Sequence, residues 1–396
     1  MTQRRSRGKR GLPVVVASLL LLGACTGSGA DTGPSTVATA GSGGPLDLRG
    51  VCPSTLVFQT SWLPNIESFG ALYSLLGPDP TIDAGKKRVT APLTARGKDT
   101  GVKLELRAGG PAVGFVQSTA QMYTDPSITF AVPSGFDEII QLSKTQPTLA
   151  VLALVDIDPQ MIMWDPHKHP DFHTIADIGQ TSTKVLYFGG DTYMEYLTGS
   201  GILRKDQVDG SYDGSPSRFV AERGEIAQSG YATGEPYIFE TETKQWAKPV
   251  EFQLIYDTGY PNYGPSVTIR SRDKDKLAPC LQKLVPIVQQ AQVDLIAKPD
   301  PVIALTVKLN EEYKTGVPYS TGIAHFAASQ MKRLGLTGNG APADAMIGNY
   351  HESRVQRMID ILGPIFTAQH KPIKDGLKSS DVMTNEFLGQ IGVKDS

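Results

Sequence analysis

Short apolar runs alternate with amphipathic helical stretches along most of the chain from Thr55 onward. Continuous apolar runs predict buried strands, whereas apolar residues spaced three and four apart predict helices. The first part of the body is therefore predicted to contain strands at 55–60, 103–107, 128–132 and 148–155 and helices at 67–76, 112–123 and 135–144. Ser134 has the sequence context of an N-cap for the last of these helices. This alternation is typical of an α/β sheet protein.

The pattern changes at 156–159, where the polar sequence Asp-Ile-Asp-Pro separates two apolar runs. A second α/β unit follows, with strands at 184–188 and 250–256 and helices at 191 onward and 216–223. The Gly-, Pro- and Tyr-rich stretch 259–265 then leads to a strand at 267–271 and a mainly helical remainder, amphipathic at 277–291 and 355–362. We therefore expect two lobes joined by two crossover strands, with lobe 1 at 51–157 and 267–396 and lobe 2 at 158–266. Such lobes can close by bending at the crossovers.

The amino-terminal segment follows a different pattern. Five basic residues between positions 4 and 10 precede a mostly apolar run at 12–22, which is too short to span a bilayer as a stable helix. Leu22-Gly23-Ala24-Cys25 follows and matches a lipobox, which predicts that 1–24 is a lipoprotein signal peptide and that the Cys25 thiol carries a lipid with acyl chains such as palmitate. A plain signal peptide with an incidental Cys25 is the alternative. Residues 25–50 are rich in Gly, Ser, Thr, Ala and Pro, so we expect a flexible tether.

The charge and the cysteine content indicate in which compartment the protein acts and which classes of partner are excluded. Removal of residues 1–24 deletes five basic residues and no acidic one, so the net charge changes from −2 to −7. A mildly acidic protein argues against a nucleic-acid partner and against a polybasic membrane surface. Cys52 and Cys280 remain once Cys25 is lipidated, and an exported pair usually oxidises, which predicts a disulfide between them. Two separate buried thiols are the alternative.

Two short motifs resemble a known family. Trp62-Leu63-Pro64-Asn65, followed by Gly70 and Leu72-Tyr73, is similar to the first strand–helix junction of proteins that bind thiamine pyrimidine precursors and of their nitrate, sulfonate and taurine relatives. The stretches 224–227 and 230–236 resemble the second-lobe junction of the same group, although Ser68 stands where the pyrimidine-precursor binders have a histidine. The resemblance implies a two-lobed, type II periplasmic binding protein fold. It also implies a lipid-anchored, extracytoplasmic solute-binding protein that acts without a cofactor, as a monomer, and delivers a small ligand to an ABC permease.

Side chains at strand ends are the candidate ligand contacts, because ligands of open α/β sheets bind there. The candidates are Trp62, Glu67, Asp191, Tyr231, Glu235, Tyr237, Asn262 and Tyr263. Trp62 is placed to stack on a planar ligand and Glu67 to accept a hydrogen bond from an amine or amidine. Five of them have a structural alternative: Trp62 packing the lobe surface, Glu67 favouring a helix N-terminus, Asp191 capping a helix, and Asn262 and Tyr263 serving as turn residues.

Aromatic rings beside carboxylates suit a flat, nitrogen-containing, neutral or cationic ligand better than a sulfonate or nitrate, which needs arginine or clustered N–H donors. Arg107 and Arg270 are the cations available for an anionic ligand. His167, His169 and His173 form a weak metal-site candidate with Asp165 and Asp171, for which a polar surface loop is the favoured interpretation.

The sequence contains no nucleophile elbow, Walker loop or dinucleotide fingerprint, which favours a binding protein over an enzyme. Two alternatives stay open. One is an exported hydrolase or transferase on a related two-lobed scaffold, and the other is a lipoprotein that recognises another protein.

Overall fold

The computed structural model describes residues 37–340 and 344–393. The strands are β1 (Thr55–Thr60), β2 (Thr81–Asp83), β3 (Arg88–Ala95), β4 (Lys98–Arg107), β5 (Phe130–Val132), β6 (Thr148–Ala153), β7 (Gln160–Trp164), β8 (Val185–Leu186), β9 (Val208–Asp209), β10 (Ala227–Tyr231), β11 (Glu251–Leu254) and β12 (Ser266–Arg270). The helices are α1 (Ile66–Tyr73), α2 (Ser118–Thr124), α3 (Phe136–Gln141), α4 (Ile175–Gly179), α5 (Thr192–Gly199), α6 (Ser217–Ala221), α7 (Glu235–Tyr237), α8 (Lys274–Ala297), α9 (Asp300–Tyr313), α10 (Thr321–Arg333), α11 (Glu352–Ala368) and α12 (Ser379–Val382). This mixed α/β composition confirms the predicted fold class.

The strands form two sheets, one for each lobe. The seven-stranded sheet has the order β2-β3-β4-β1-β5-β12-β6, and the five-stranded sheet has the order β11-β7-β10-β8-β9. β1 runs parallel to β4 and β5, while β12 inserts antiparallel between β5 and β6. In the second sheet β10 runs parallel to β8, and β8 runs parallel to β9. The chain therefore leaves lobe 1 after β6 and returns to it at β12.

Lobe 1 has a core in which the first sheet packs against α1, α8 and α9. The rings of Phe58 on β1 and Phe130 on β5 stack with centroids 4.4 Å apart, and both side chains are buried. A disulfide joins Cys52, just before β1, to the fully buried Cys280 of α8. Its Cα atoms lie 4.7 Å apart, and the two cysteines are 228 positions apart in sequence. The predicted pairing is confirmed.

Helix α11 packs against both lobes. It contacts α3, which follows β5 of lobe 1, and α5 of lobe 2. Its apolar face, including Val355, Met358 and Leu362, is fully buried in a core that also contains Trp164 of β7. The expectation that 267–396 belongs to lobe 1 alone therefore does not hold for this helix, because its apolar side is covered by elements of both lobes.

The described part of the predicted tether is ordered against lobe 1. The Ala40 amide donates to Asp99 O at 2.8 Å, and the Leu48 amide donates to Thr100 O at 3.0 Å. The Leu48 side chain is fully buried. The prediction of a flexible tether up to residue 50 is therefore wrong for residues 38–50. The average composition of this stretch is polar, but the single apolar side chain of Leu48 anchors it to lobe 1.

Three local elements differ from the sequence predictions. The β2–β3 hairpin was not predicted. The helix predicted at 112–123 is a 3₁₀ turn at Gly110–Val113 followed by α2, because Gly114 and Phe115 take left-handed backbone conformations, with φ of 65° and 62°. Ser134 does not cap α3, whose N-cap is Gly135 without a side-chain hydrogen bond.

Among the residues described, no helix combines the length and apolarity needed to cross a bilayer.

Candidate ligand-binding cleft

The carboxyl ends of the parallel strands of both sheets face one cleft of about 1090 Å³. Lobe 1 contributes the loops after β1, β4 and β5, and lobe 2 contributes the loops after β8, β9 and β10. This is the edge at which open α/β sheets bind ligands, because successive helices start there and leave the strand ends accessible. Small-molecule sites occupy roughly 300–1,000 Å³, so this cleft accommodates a ligand larger than a single heteroaromatic ring.

Aromatic rings from both lobes meet in the cleft. The ring of Trp62, which follows β1, lies 5.9 Å from that of Phe188, which follows β8, and 5.9 Å from that of Phe115. The Tyr212 ring packs 4.6 Å from Phe188. Gly110 permits this position of Trp62: its φ is 58°, and a Cβ there would approach the indole to 2.5 Å. The cleft therefore has an aromatic wall on which a flat ligand can stack.

Glu67 and Glu235 place one carboxylate from each lobe in the cleft. Glu67 of α1 accepts a hydrogen bond from the Tyr319 hydroxyl at 3.3 Å, and Glu235 of α7 accepts one from the Tyr231 amide at 2.7 Å. Removal from water raises the pKa of Glu67 to about 7, with a smaller contribution from repulsion by Glu235. Burial likewise raises the pKa of Glu235 to about 7. A bound cation would compensate for the lost hydration and would therefore favour the deprotonated, negatively charged form of both carboxyl groups.

Asp137, Asp158 and Asp191 form a second carboxylate group. Asp137 accepts from the Tyr260 hydroxyl at 2.8 Å, and the Asn262 side-chain amide donates to Asp158 at 2.7 Å. Burial raises the pKa of Asp191 to about 7, and repulsion by Asp137 adds to this effect. Burial and the Asp137 charge also raise the pKa of Asp158 well above its usual range.

Acidic side chains outnumber basic ones in the cleft lining. Its carboxylate side chains are Glu67, Asp137, Glu138, Asp158, Asp191, Asp213, Glu235 and Glu242, eight in all. No Lys, Arg or His lines the cleft within the described ranges. The suggestion that Arg107 and Arg270 serve an anionic ligand is corrected: Arg107 pairs with Glu105 at 2.6 Å and Asp125 at 2.8 Å, and the buried Arg270 donates to backbone carbonyls, including Ile128 O at 3.1 Å.

Five of the eight candidate ligand residues line the cleft: Trp62, Glu67, Asp191, Tyr231 and Glu235. Asp191 lies at the N-cap of α5 but makes no capping hydrogen bond, and its Oδ2 has no partner among the described residues. The alternative role of this carboxylate as a helix cap is therefore wrong.

Three candidates lie outside the cleft lining. The Tyr237 ring packs 5.6 Å from Phe326 of α10. Tyr263 is fully buried, and its hydroxyl accepts from the His351 amide at 2.8 Å. Asn262 is also buried, behind the cleft surface, where it holds Asp158. Proximity to a crossover placed these residues near the cleft but did not orient them toward it.

The sequence reasoning missed several cleft residues. Asp137 and Phe188 follow β5 and β8, so the strand-end rule that selected Trp62 would have found them. Tyr319 contacts Glu67 from more than two hundred positions away, and no local sequence pattern announces that contact.

The histidine segment does not assemble a metal site. His167 Nδ1 lies 3.3 Å from Asp165, His169 Nε2 contacts Gly224 O at 3.1 Å, and the His173 amide donates to Asp177. Within 37–340 and 344–393, no three metal-ligating side chains come together. His167, His169 and His173 therefore make separate local contacts.

Several solved structures share this fold at low sequence identity. The alkanesulfonate-binding protein SsuA of Xanthomonas axonopodis pv. citri, bound to MOPS, is 13% identical with a TM-score of 0.50, covering 84% of this chain and 99% of its own. The sulfonate-binding protein SsuA of Methylobacillus flagellatus KT is 13% identical with a TM-score of 0.52, covering 84% and 92%. The nitrate-binding protein NrtA of Synechocystis PCC 6803 is 10% identical with a TM-score of 0.51, covering 84% and 87%.

No protein-family model and no curated protein matches the chain. The structural likeness, together with the two sheets and the cleft between them, defines the fold as that of the two-lobed periplasmic binding proteins.

Proposed function

We propose that the protein is the solute-binding component of an ABC importer and that it captures a flat, cationic, nitrogen-containing small molecule. The observation that carries the proposal is the cleft lining: eight carboxylates, a wall of aromatic rings and no cationic side chain among the described residues. A carboxylate pairs with an amine or amidine through charge-assisted hydrogen bonds, and the aromatic wall adds stacking and cation–π attraction.

The charge of the cleft argues against the ligands of the neighbouring structures. The neighbouring structures are named as sulfonate- and nitrate-binding proteins, and both of these ligands are anions. An anion placed among these acidic side chains finds no compensating Arg or Lys among the described lining residues, so its transfer from water is unfavourable. The fold supports the transport class, whereas the side chains support a ligand of opposite charge.

Capture by lobe closure supplies the mechanism. Trp62 and Glu67 belong to lobe 1, and Phe188 and Glu235 belong to lobe 2, so a ligand that touches both sets favours the closed arrangement by its difference in affinity for the two states. The closed form then delivers the ligand to the membrane permease. No reaction on the ligand is part of this mechanism.

The proposal places the protein outside the cytoplasm, held to the membrane by a lipid on Cys25. Cys25 lies outside the described residues, and the lipobox 22–25 behind the basic and apolar segment is its support. A Cys25→Ser variant should lose incorporation of a palmitate analogue and leave the membrane fraction. Retention of the label in that variant would contradict the lipid attachment.

A thermal-shift screen tests the ligand class. The cations benzamidine and benzylamine are compared with the anions ethanesulfonate and nitrate. We expect cationic probes to raise the melting temperature by mass action and the anions to leave it unchanged, with a stabilisation of about 2.7 kcal/mol at a hundredfold excess over Kd. A rise with ethanesulfonate or nitrate and none with the cations would overturn the proposed ligand class.

Variants locate the binding and separate it from catalysis. Trp62→Ala and Glu235→Gln should abolish or reduce the shift, whereas Tyr237→Phe and the exposed-site control Glu251→Gln should retain it. Mass spectrometry of the bound probe checks for turnover, since a converted probe would favour the exported-enzyme alternative. Loss of cellular uptake of the same compound after deletion of this chain tests delivery to a permease.

A further inference from the structure

We infer that the ligand carries two cationic nitrogen groups, one bound by the Glu67–Glu235 pair and the other by the Asp137–Asp158–Asp191 group. This inference rests on the proposed function and specifies its substrate class. It follows from the arrangement of the carboxylates within the cleft, because they form two groups and each group draws members from both lobes.

The two groups are distinct in their contacts. Glu235 is fixed by the backbone amide of Tyr231 on β10, and the Gly230 backbone packs so closely that a Cβ there would approach the Glu235 carboxyl carbon to 2.7 Å. Asp137 and Asp158 are fixed instead by Tyr260 and Asn262 of the return crossover. No hydrogen bond joins the pair to the three-aspartate group among the described residues.

Tyr231 stands between the two groups. Its backbone amide holds Glu235, and its position on β10 pairs with Gln160 on β7, two residues after Asp158. Burial is the main reason that the pKa of the Tyr231 phenol lies well above its usual range. The negative charges of nearby carboxylates raise this pKa further, namely those of Asp158, Asp191, Asp137 and Glu235. Carboxylates of both groups therefore lie near this one side chain, which lines the cleft.

The three-aspartate group contains polar atoms without partners. Asp191 Oδ2 and the Tyr193 hydroxyl make no hydrogen bond of good geometry among the described residues, although the phenol lies close enough to lower the pKa of Asp191, and both residues line the cleft. Tyr193 is only 4% exposed, so its hydroxyl is sheltered from bulk water. A buried polar group without a partner is costly, and a donor from a ligand ammonium or amidinium satisfies Asp191 directly.

A single organic dication suits the site better than a metal ion. The described residues contain no group of three or more side chains able to hold a metal. Carboxylates spread over two groups, with an aromatic wall beside them, match an extended molecule whose ends carry charge and whose middle is apolar. The cleft volume of about 1090 Å³ also leaves room for such a length.

Each cationic end would also join the lobes. Glu67 and Asp137 come from lobe 1, while Glu235 and Asp191 come from lobe 2. Without a ligand, burial disfavours the charged form of these carboxyl groups. A cation at each group favours their ionised form and attracts carboxylates of both lobes, so the second charge contributes to closure as well as to affinity.

Isothermal titration calorimetry on the mature protein tests the inference with matched probes. Diaminoalkanes of three to ten carbons are compared with n-alkylamines of the same number of heavy atoms, and p-xylylenediamine is compared with 4-ethylbenzylamine. The members of each pair differ by one ammonium group. We expect one dication to bind at least about tenfold more tightly than its monocation, which corresponds to one charge-assisted contact.

Two variants assign the ends. Asp191→Asn and Glu235→Gln should each remove the advantage of the dication, while Glu251→Gln should preserve it. Equal affinity of dication and monocation for every pair, with measurable monocation or benzamidine binding, would overturn the inference and leave the proposed function standing. If neither benzamidine nor any of the amines binds, both the inference and the proposed function are overturned.

Discussion

Arg354 of α11 forms a buried ion pair with Asp156 of the first crossover, with Nη1 and Oδ1 3.1 Å apart and both side chains about 7% exposed. The same guanidinium donates to Asp156 O at 2.6 Å and to Asn262 O of the return crossover at 2.9 Å. It also lies 3.6 Å from the centroid of the Tyr263 ring. One side chain therefore links the two crossovers between the lobes.

Replacement of Arg354 by Met should destabilise the protein strongly. Removal of one partner leaves the buried Asp156 carboxylate and three crossover carbonyls, those of Asp156, Pro261 and Asn262, without their donor, and such losses cost about 3–5 kcal/mol. Urea unfolding measures the change in the free energy of unfolding. The control is Arg357→Met on the exposed side of the same helix, which should change it by less than about 0.5 kcal/mol. Similar effects of the two variants would refute this role of Arg354.

The ligand-free protein should lose stability as the pH rises from about 5 to 8. The folded pKa of Glu138 is about 7, against 4.5 for the ordinary side chain, because the buried carboxyl is removed from water. Between these values the unfolded chain has released a proton that the folded chain retains, so raising the pH favours unfolding; above 7 both forms are ionised and the loss is complete. Glu67, Asp191 and Glu235 act in the same direction.

Urea unfolding at several pH values measures this slope. Glu138 is 5% exposed, and its variant Glu138→Gln should reduce the loss between pH 5 and 8 by up to ~3 kcal/mol. The exposed Glu251→Gln should keep the wild-type slope. A stability that increases over this pH interval would show that the carboxyls do not have raised pKa values.

A methyl group at residue 135 should disturb the support of the three-aspartate group. A Cβ on Gly135 would lie 2.6 Å from Asn262 Nδ2, 2.6 Å from Asp137 Oδ1 and 3.1 Å from Asp158 Oδ2. Gly135→Ala should therefore lower the free energy of unfolding by about 1–3 kcal/mol and weaken cation binding. Gly338→Ala, whose Cβ meets nothing within 4 Å, is the control for a bare substitution of glycine. If both alanine variants unfold alike, the crowding at Gly135 has no energetic consequence.

Loss of the Cys52–Cys280 bond should lower stability by about 2–5 kcal/mol, because the bond closes a loop across most of the body. The double variant Cys52→Ala, Cys280→Ala is compared with the wild type in urea, each with and without reductant. Reductant should shift the wild-type midpoint toward that of the variant and leave the variant unchanged. If reductant does not change the unfolding midpoint of the wild type, the disulfide does not contribute to its stability.

Periodicity predicted the fold because its main elements are encoded locally. The run at 55–60 is β1 residue for residue, since apolar and β-branched side chains there are buried along the strand. The disulfide followed from the exported compartment and the cysteine count. The hairpin β2–β3 was not predicted from the sequence. Its strand β3 alternates buried and half-buried positions and contains a proline, and both features weaken the strand pattern.

The site was predictable only in part, because a strand end fixes where a residue lies and tertiary packing fixes where its side chain points. Trp62 and Glu235 follow strands and line the cleft, as the strand-end rule predicts. Tyr237 is two residues beyond Glu235 and turns toward α10, a helix that reaches it only through the return of the chain to lobe 1. The grouping of Asp137 with Asp158 and Asp191 depends on Tyr260 and Asn262, which belong to a different segment.

The insertion of β12 between β5 and β6 has a consequence for biosynthesis. Both neighbours leave the ribosome long before β12, and β6 joins the sheet through β12. A nascent chain that stops short of residue 266 therefore presents two unpaired strand edges, which are templates for aggregation. Factors that bind the nascent chain must shelter those edges until the last third of the polypeptide has been made.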